Sequence, residues 1–274
     1  MDRALEQNVI NTQNKRPLKL IPALMAKPKA KLLCVCIPHA GGGGHTFHDW
    51  IDLLGTEGDL RAAQLPGRGR RFADPAYRSM ATLARDLAEE ISGSTEKPLV
   101  LFGHSLGALI AFETARALFL NYGKVPQHII VAGASAPHVP EPPNSILRLC
   151  DRLLPDGELA HKLRSLGGPS FADDQDPELL SLSLEIIRTD LELHASYEAP
   201  AVPEECQLSC PITALGGTSD IADIPEASLE EWGRYTSSGF RYHMLPGDHF
   251  FHFLQSEFIA HRILEAISDS AAVP

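Results

Sequence analysis

The pentapeptide Gly103-His104-Ser105-Leu106-Gly107 constrains this chain more than any other stretch. It lies where a short apolar run, residues 98–102 opened by Pro98, gives way to an Ala/Leu-rich run carrying Leu106, Leu109, Ile110, Ala117 and Leu118. That change of pattern reads as a strand followed by a helix. G-x-S-x-G at such a junction is the pattern of a nucleophile elbow, a tight turn that holds a serine hydroxyl out at the top of a sheet. Glycines on both sides remove the Cβ atoms that would stop strand and helix backbones from crowding around a strained serine. The new helix aims free N–H groups and a partial positive charge at any anion formed beside the hydroxyl. In a chain with 21 glycines the pattern alone can arise by chance, so the strand–helix context is what marks Ser105 as a nucleophile.

The elements around the elbow repeat its rhythm. Residues 31–37, 59–64, 98–102 and 128–132 read as buried strands. They alternate with helices expected at 47–54, at 79–91 with Ser79 or Thr82 as cap, and after the elbow. Such alternation implies a parallel sheet with right-handed crossovers. The rhythm breaks at residues 140–203, where helical pieces at 146–154, 158–166 and 179–197 follow one another without a strand between them. A helical excursion between two sheet strands reads as a lid over the strands' carboxyl ends, since some 60 residues make a thin independent core. Strands resume at 211–215 and 240–245, and a helix over 254–267 closes the chain. Residues 1–28 are polar around one apolar patch, 18–25, and read as a partly ordered arm or edge strand. Residues 29–274 then form one domain.

A serine nucleophile needs a base, the base needs an orienting carboxylate, and elbow enzymes place them in the order Ser, Asp or Glu, His. His249 follows the last strand and leads into the final helix. His138, His161, His194, His243, His252 and His261 fall before or inside the excursion, within a strand or on the last helix. Asp220 comes five residues after the 211–215 strand, just past Gly216-Gly217; Asp223 is the alternative in the same loop, and Asp248 adjoins the histidine too closely. The oxyanion of a tetrahedral intermediate needs two N–H donors. Leu106 supplies one. The other is expected from Pro38-His39-Ala40-Gly41-Gly42-Gly43-Gly44, with Ala40 favoured and Gly41 next. This loop is not a phosphate-cradling loop of the G-x-x-x-x-G-K-[ST] kind, because His45 and Thr46 follow without a lysine. The chemistry is acyl transfer to water, with the leaving group (alcohol, amine or thiol) left open.

A net charge of −11 argues against nucleic-acid binding and makes any acidic partner depend on a local basic patch. The densest such patch is the turn at residues 65–72, whose Arg68, Arg70 and Arg71 could meet a phosphate; a plain solvated loop is the competing reading. Five cysteines with no C-x-x-C pair, and no histidine spacing that suggests zinc, point to reduced thiols and no metal. Cys34 and Cys36 share one face of their strand. No apolar run reaches the length of a membrane span, and the first residues, with Asp2 and Glu6, are not a secretory signal. A cytoplasmic monomer is expected.

From residue 31 onward the chain resembles the type II thioesterases that accompany polyketide synthases and nonribosomal peptide synthetases. The shared pieces are Pro38-His39-Ala40-Gly41-Gly42, Leu65-Pro66-Gly67-Arg68-Gly69, Gly103-His104-Ser105-Leu106-Gly107-Ala108, Gly216-Gly217-Thr218-Ser219-Asp220 and Gly247-Asp248-His249-Phe250-Phe251. The resemblance implies an α/β-hydrolase fold, a mostly parallel central sheet flanked by helices with a helical lid insertion. It implies cleavage of thioesters on the phosphopantetheine arm of acyl- or peptidyl-carrier proteins, removing stalled or wrongly loaded groups without a cofactor. It maps nucleophile, acid and base onto Ser105, Asp220 and His249, and brings the arginine turn near the carrier's phosphate. Two features depart from the family: a longer N-terminal arm, and Asp248 where a glycine often precedes the histidine. Release of a finished or medium-length acyl chain is the alternative activity; a non-catalytic binding protein on the same fold would show a broken triad.

Overall fold

The computed structural model describes residues 19–94, 96–142, 145, 154–167, 176–200 and 206–270. Six strands, β1 Leu32–Ile37, β2 Gly58–Ala62, β3 Leu99–His104, β4 His128–Ala132, β5 Ile212–Gly217 and β6 Phe240–Leu245, form one sheet in the order β2-β1-β3-β4-β5-β6. Every neighbouring pair is parallel. This is the mostly parallel sheet flanked by helices of an α/β-hydrolase.

Strand side chains alternate, so each strand feeds two cores. In β1, Leu33, Val35 and Ile37 enter one cluster, while Leu32, Cys34 and Cys36 enter the other. The two thiols share a face, as the two-residue spacing requires, with sulfurs 3.6 Å apart and no disulfide. On the first face lie α2 Met80–Ser92 and α3 Leu106–Tyr122. The Ser79 hydroxyl accepts the Thr82 N–H and caps α2. Gly123, at φ +63°, ends α3. The second face is covered by α1 Trp50–Leu53 and α8 Ser256–Ser270, around the ring contacts of Phe47, Trp50 and Phe102.

Two expected helices are broken. Residues 47–54 divide into a 3-10 turn, Gly44–Phe47, and α1. The C-terminal helix starts earlier, with α7 Phe251–Leu254, and restarts at Ser256 after Gln255 leaves helical geometry. Gln255 instead donates its side-chain amide to the Pro246 carbonyl at 3.0 Å.

Part of the N-terminal stretch belongs to the core. Leu20 and Ile21 are buried, and their N–H groups donate to the Glu90 carboxylate of α2. Ala23 forms an antiparallel bridge with Arg61 of β2. Residues 1–18 lie outside the described residues, as does nearly all of the helix expected at 146–154.

Between β4 and β5 stand α4 Asp156–Ser165 and α5 Pro177–Ala195. Asp176 caps α5 and Pro177 opens it. The two helices bury Leu159, Ala160, Leu163, Leu184, Ile187 and Leu191 against one another in a cluster separate from the sheet's two cores.

The elbow glycines are fixed by contact. A Cβ on Gly107 would sit 2.2 Å from the Ile37 carbonyl oxygen, and one on Gly103 would sit 2.1 Å from that of Gly107. These neighbours are backbone and cannot give. Gly107→Ala is therefore expected to cost about 4 kcal/mol or more, whereas Gly157→Ala, in open space on α4, should stabilise by up to about 1 kcal/mol. Urea unfolding of both variants checks this ranking; equal effects would contradict it.

Candidate active site

Ser105 joins β3 to α3 with φ +56° and ψ −122°, the one non-glycine residue of positive φ among those described. An L-residue held there is strained, and its neighbours must pin it. Its N–H donates to the Ala132 carbonyl at the end of β4, at 2.8 Å. The side chain thus stands between the sheet's carboxyl edge and the N-terminus of α3.

Two adjacent loops bring the partners. The loop after β5 carries Asp220 and the loop after β6 carries His249. They are joined by the Thr218 N–H to the Leu245 carbonyl at 2.8 Å and the Ser219 N–H to the Gly247 carbonyl at 2.9 Å. His249 Nδ1 lies 2.7 Å from Asp220 Oδ2, both side chains almost fully buried. With Nδ1–H donated to a carboxylate, Nε2 keeps its lone pair and can take a proton. His104 Nε2 bonds the His249 carbonyl at 2.8 Å, tying the base's loop to the residue beside Ser105.

The rival residues are engaged elsewhere. His138 bonds Tyr235 and Glu231, while His161 and His261 are exposed on α4 and α8. The Asp223 carboxyl is pushed up by burial and by the charge of Asp220. Asp248 turns away from the histidine and accepts the Phe250 N–H at 2.8 Å. Glu141, at the start of the excursion, is a carboxyl the sequence reading did not single out. Burial pushes it up, and the charge of His249 works the other way.

The arginine turn differs from expectation. Arg68 points inward, 5% exposed, and both terminal guanidinium nitrogens meet the buried carboxylate of Asp190 on α5, at 2.6 and 2.5 Å. Arg71 braces its own turn through Asp74 and the Gln64 carbonyl. Neither guanidinium faces solvent for an anion; Arg70 is the exposed one of the three. Asp190 also accepts the Gly41 N–H at 2.7 Å. That bond engages the Gly41 N–H, the alternative donor expected from this loop.

Behind the catalytic-side loops, His39, His104 and His252 bring ring nitrogens within 4.8 Å of one another. They are the group of described residues whose atoms could converge on a cation, with no carboxylate or thiolate among them. The His104 and His252 rings lie 4.0 Å apart, centre to centre, and both residues are fully buried. Burial, then the neighbouring rings, pushes both well below the usual histidine range; His39 falls to about 3, again chiefly through burial. The spacing of these residues in the chain gave no sign of this cluster.

The unfolded chain protonates these rings near pH 6.5, whereas the folded protein does so only at much lower pH, about 3 for His39. Their stabilising effect is therefore complete above about pH 6.5 and lost as the pH falls from there toward the folded value. Each ring contributes up to about 1.4 kcal/mol per pH unit in that window. His252→Phe should flatten the pH dependence of urea unfolding stability between about pH 6 and pH 4 by roughly one proton. An unchanged slope would contradict the buried neutral state of this ring.

Comparison with known proteins identifies the family. A family model described as a thioesterase domain matches residues 33–270. Linear gramicidin dehydrogenase LgrE of Brevibacillus parabrevis is 36% identical over 258 residues, covering 93% of each chain. Thioesterase PikA5 of Streptomyces venezuelae is 34% identical, covering 94% of this chain and 89% of its own. The solved structure of YbtT, a type II thioesterase from the yersiniabactin NRPS/PKS biosynthetic pathway, superposes with a TM-score of 0.78 at 29% identity. It covers 92% of this chain and 99% of its own. An elbow serine, a buried Asp–His pair behind it and a family match along nearly the whole sheet place this chain in the thioesterase family, as a thioester hydrolase.

Proposed function

We propose that Ser105, His249 and Asp220 form the catalytic triad, acting on acyl or aminoacyl groups carried on the phosphopantetheine arm of carrier proteins. The observation that carries this reading is the 2.7 Å Asp220–His249 bond, on a loop tied through His104 to the residue before a serine in elbow geometry. In the first half-reaction Ser105 Oγ attacks the thioester carbonyl while His249 Nε2 takes its proton. The tetrahedral oxyanion is received by the N–H groups of Ala40 and Leu106. Collapse breaks the C–S bond, and His249 returns the proton to the leaving thiolate. Water, activated by the same base, then releases the acid and restores the serine. Asp220 orients the ring and stabilises its cationic form.

The α4–α5 excursion is the lid in this reading, and residues 29–274 form one catalytic domain whose core also takes in Leu20 and Ile21 of the stretch before it. The protein works as a cytoplasmic monomer, clearing aberrant intermediates from a polyketide or nonribosomal peptide assembly line. Support for that role comes from relatives such as YbtT, whose described pathway is of this kind. LgrE is named for a different reaction. A serine, a histidine and an aspartate in this relation move an acyl group and a proton, not a hydride.

Two measurements test the proposal. Asp220→Asn should lower kcat by about 10⁴ while leaving the fold intact, because the ring then settles in the wrong tautomer. Wild-type kcat in Asp220→Asn would contradict the triad. Incubation with carrier protein loaded with short or long acyl chains separates the roles. An editing enzyme should clear acetyl and aminoacyl groups readily, and a strong preference for a long chain would favour product release instead.

A further inference from the structure

We propose that Asp190, on the lid helix, is a positioning residue for the oxyanion loop, so that the second oxyanion donor is in place only while α5 is seated. This rests on the catalytic reading above and adds to it a coupling between lid and reaction centre.

The loop is a tight turn. Gly42 N–H returns to the His39 carbonyl at 2.9 Å, and Gly41 takes φ +81°. A left-handed third residue is what a type II turn requires. In such a turn the central peptide, here Ala40 C=O with Gly41 N–H, can flip to the type I form without breaking the closing bond. Asp190 prevents this, because its carboxylate holds the Gly41 N–H at 2.7 Å. A flip would turn the Ala40 carbonyl toward that carboxylate. The next polar group of the loop, the Gly42 carbonyl, accepts from Arg68 Nη1 at 3.1 Å. Arg68 in turn holds Asp190 through both carboxylate oxygens, at 2.6 and 2.5 Å.

Packing acts in the same place. Ile187, one turn before Asp190, lies so close that a Cβ on Gly41 would sit 2.5 Å from its Cγ1. Ile187 and Asp190 thus share the face of α5 that covers the loop. Beside them, His39, Ala40, Gly41, Ile187 and Phe253 line a cleft of about 340 Å³. A loop pinned at Gly41 and Gly42 keeps the preceding Ala40 N–H in register with Leu106. A displacement of about 1 Å at such a donor is enough to cost orders of magnitude in rate.

A buried ion pair serving only to hold the fold makes a different prediction, and the acceptor separates the two. In Arg68→Met/Asp190→Leu the charges leave together and nothing accepts the Gly41 N–H. In Arg68→Met/Asp190→Asn the side-chain amide oxygen can still accept it. With acetyl-N-acetylcysteamine as substrate, the first variant should lose about tenfold or more in kcat with KM changed less than about threefold. The second should return to within about threefold of wild type. If the Leu variant does not fold, Asp190→Ala against Asp190→Asn, both with Arg68 present, gives the same contrast. Glu192→Gln removes the surface ion pair from the same helix to Arg78, which lies before α2, and should leave kcat unchanged.

Equal kcat in the acceptor-bearing and acceptor-free variants would overturn the proposal, as would a comparable loss in Glu192→Gln. Ser105→Ala, measured alongside, keeps the two readings apart. If it retained wild-type turnover, the catalytic assignment itself would have failed, whatever the Asp190 variants show.

Discussion

The structure depends on how closely three backbone segments meet at the carboxyl edge of the sheet. The Gly107 Cα lies against the carbonyls of Ile37 and Pro38, and Gly103 lies against the carbonyl of Gly107. No side chain fits into either contact. That crowding forces Ser105 into positive φ and sets the first turn of α3 beside the loop that follows β1. The serine, the Leu106 N–H and the Ala40 loop are neighbours because glycine lets three pieces of main chain approach within van der Waals distance. The active-site geometry is therefore a property of the sheet's topology before any reactive side chain is considered.

The remaining partners arrive by the same logic. Strands β4, β5 and β6 end side by side, so the last residue of β4, Ala132, and the loops after β5 and β6, with Asp220 and His249, reach one small region. His104 has two tasks there: it occupies the position before the nucleophile, and its ring fixes the backbone carbonyl of the base. The cost of this arrangement is a set of neutral, buried histidines, which makes the site sensitive to acid. Asp248, next to His249 in the chain, spends its carboxylate on the Phe250 N–H and leaves the His249 Nδ1 to Asp220.

Much of this was legible in the sequence, for physical reasons. Strand positions follow from short apolar runs bounded by proline and glycine, and the pairing of Asp220 with His249 follows from chain order plus strand ends. Cys34 and Cys36 share a face because the strand period is two. The inward Arg68 was not legible because three arginines in a glycine-rich turn look exposed, and its partner lies 122 residues away. Asp190 did leave a trace. It falls on the buried stripe of α5 marked by Leu184, Ile187 and Leu191, where a carboxylate needs a cation or an N–H nearby. The histidine cluster left none, since a ring from the loop after β1, one from the end of β3 and one from α7 meet only in the folded chain. The breaks near His48 and Gln255 also escaped, because hydrophobic periodicity runs on through a one-residue kink.

In the proposed reading, the excursion between β4 and β5 is part of the reaction centre as well as its cover. Its inner face combines an apolar side chain packed on Gly41 with a carboxylate bound to the same glycine's N–H. The most direct measurement of the account's central claim is the covalent state of Ser105 during turnover. Rapid acid quenching of the enzyme mixed with an acyl thioester, followed by peptide mass spectrometry, should find one acyl group esterified to Ser105. Acylation of another residue, or hydrolysis with the serine unmodified at every time point, would contradict it.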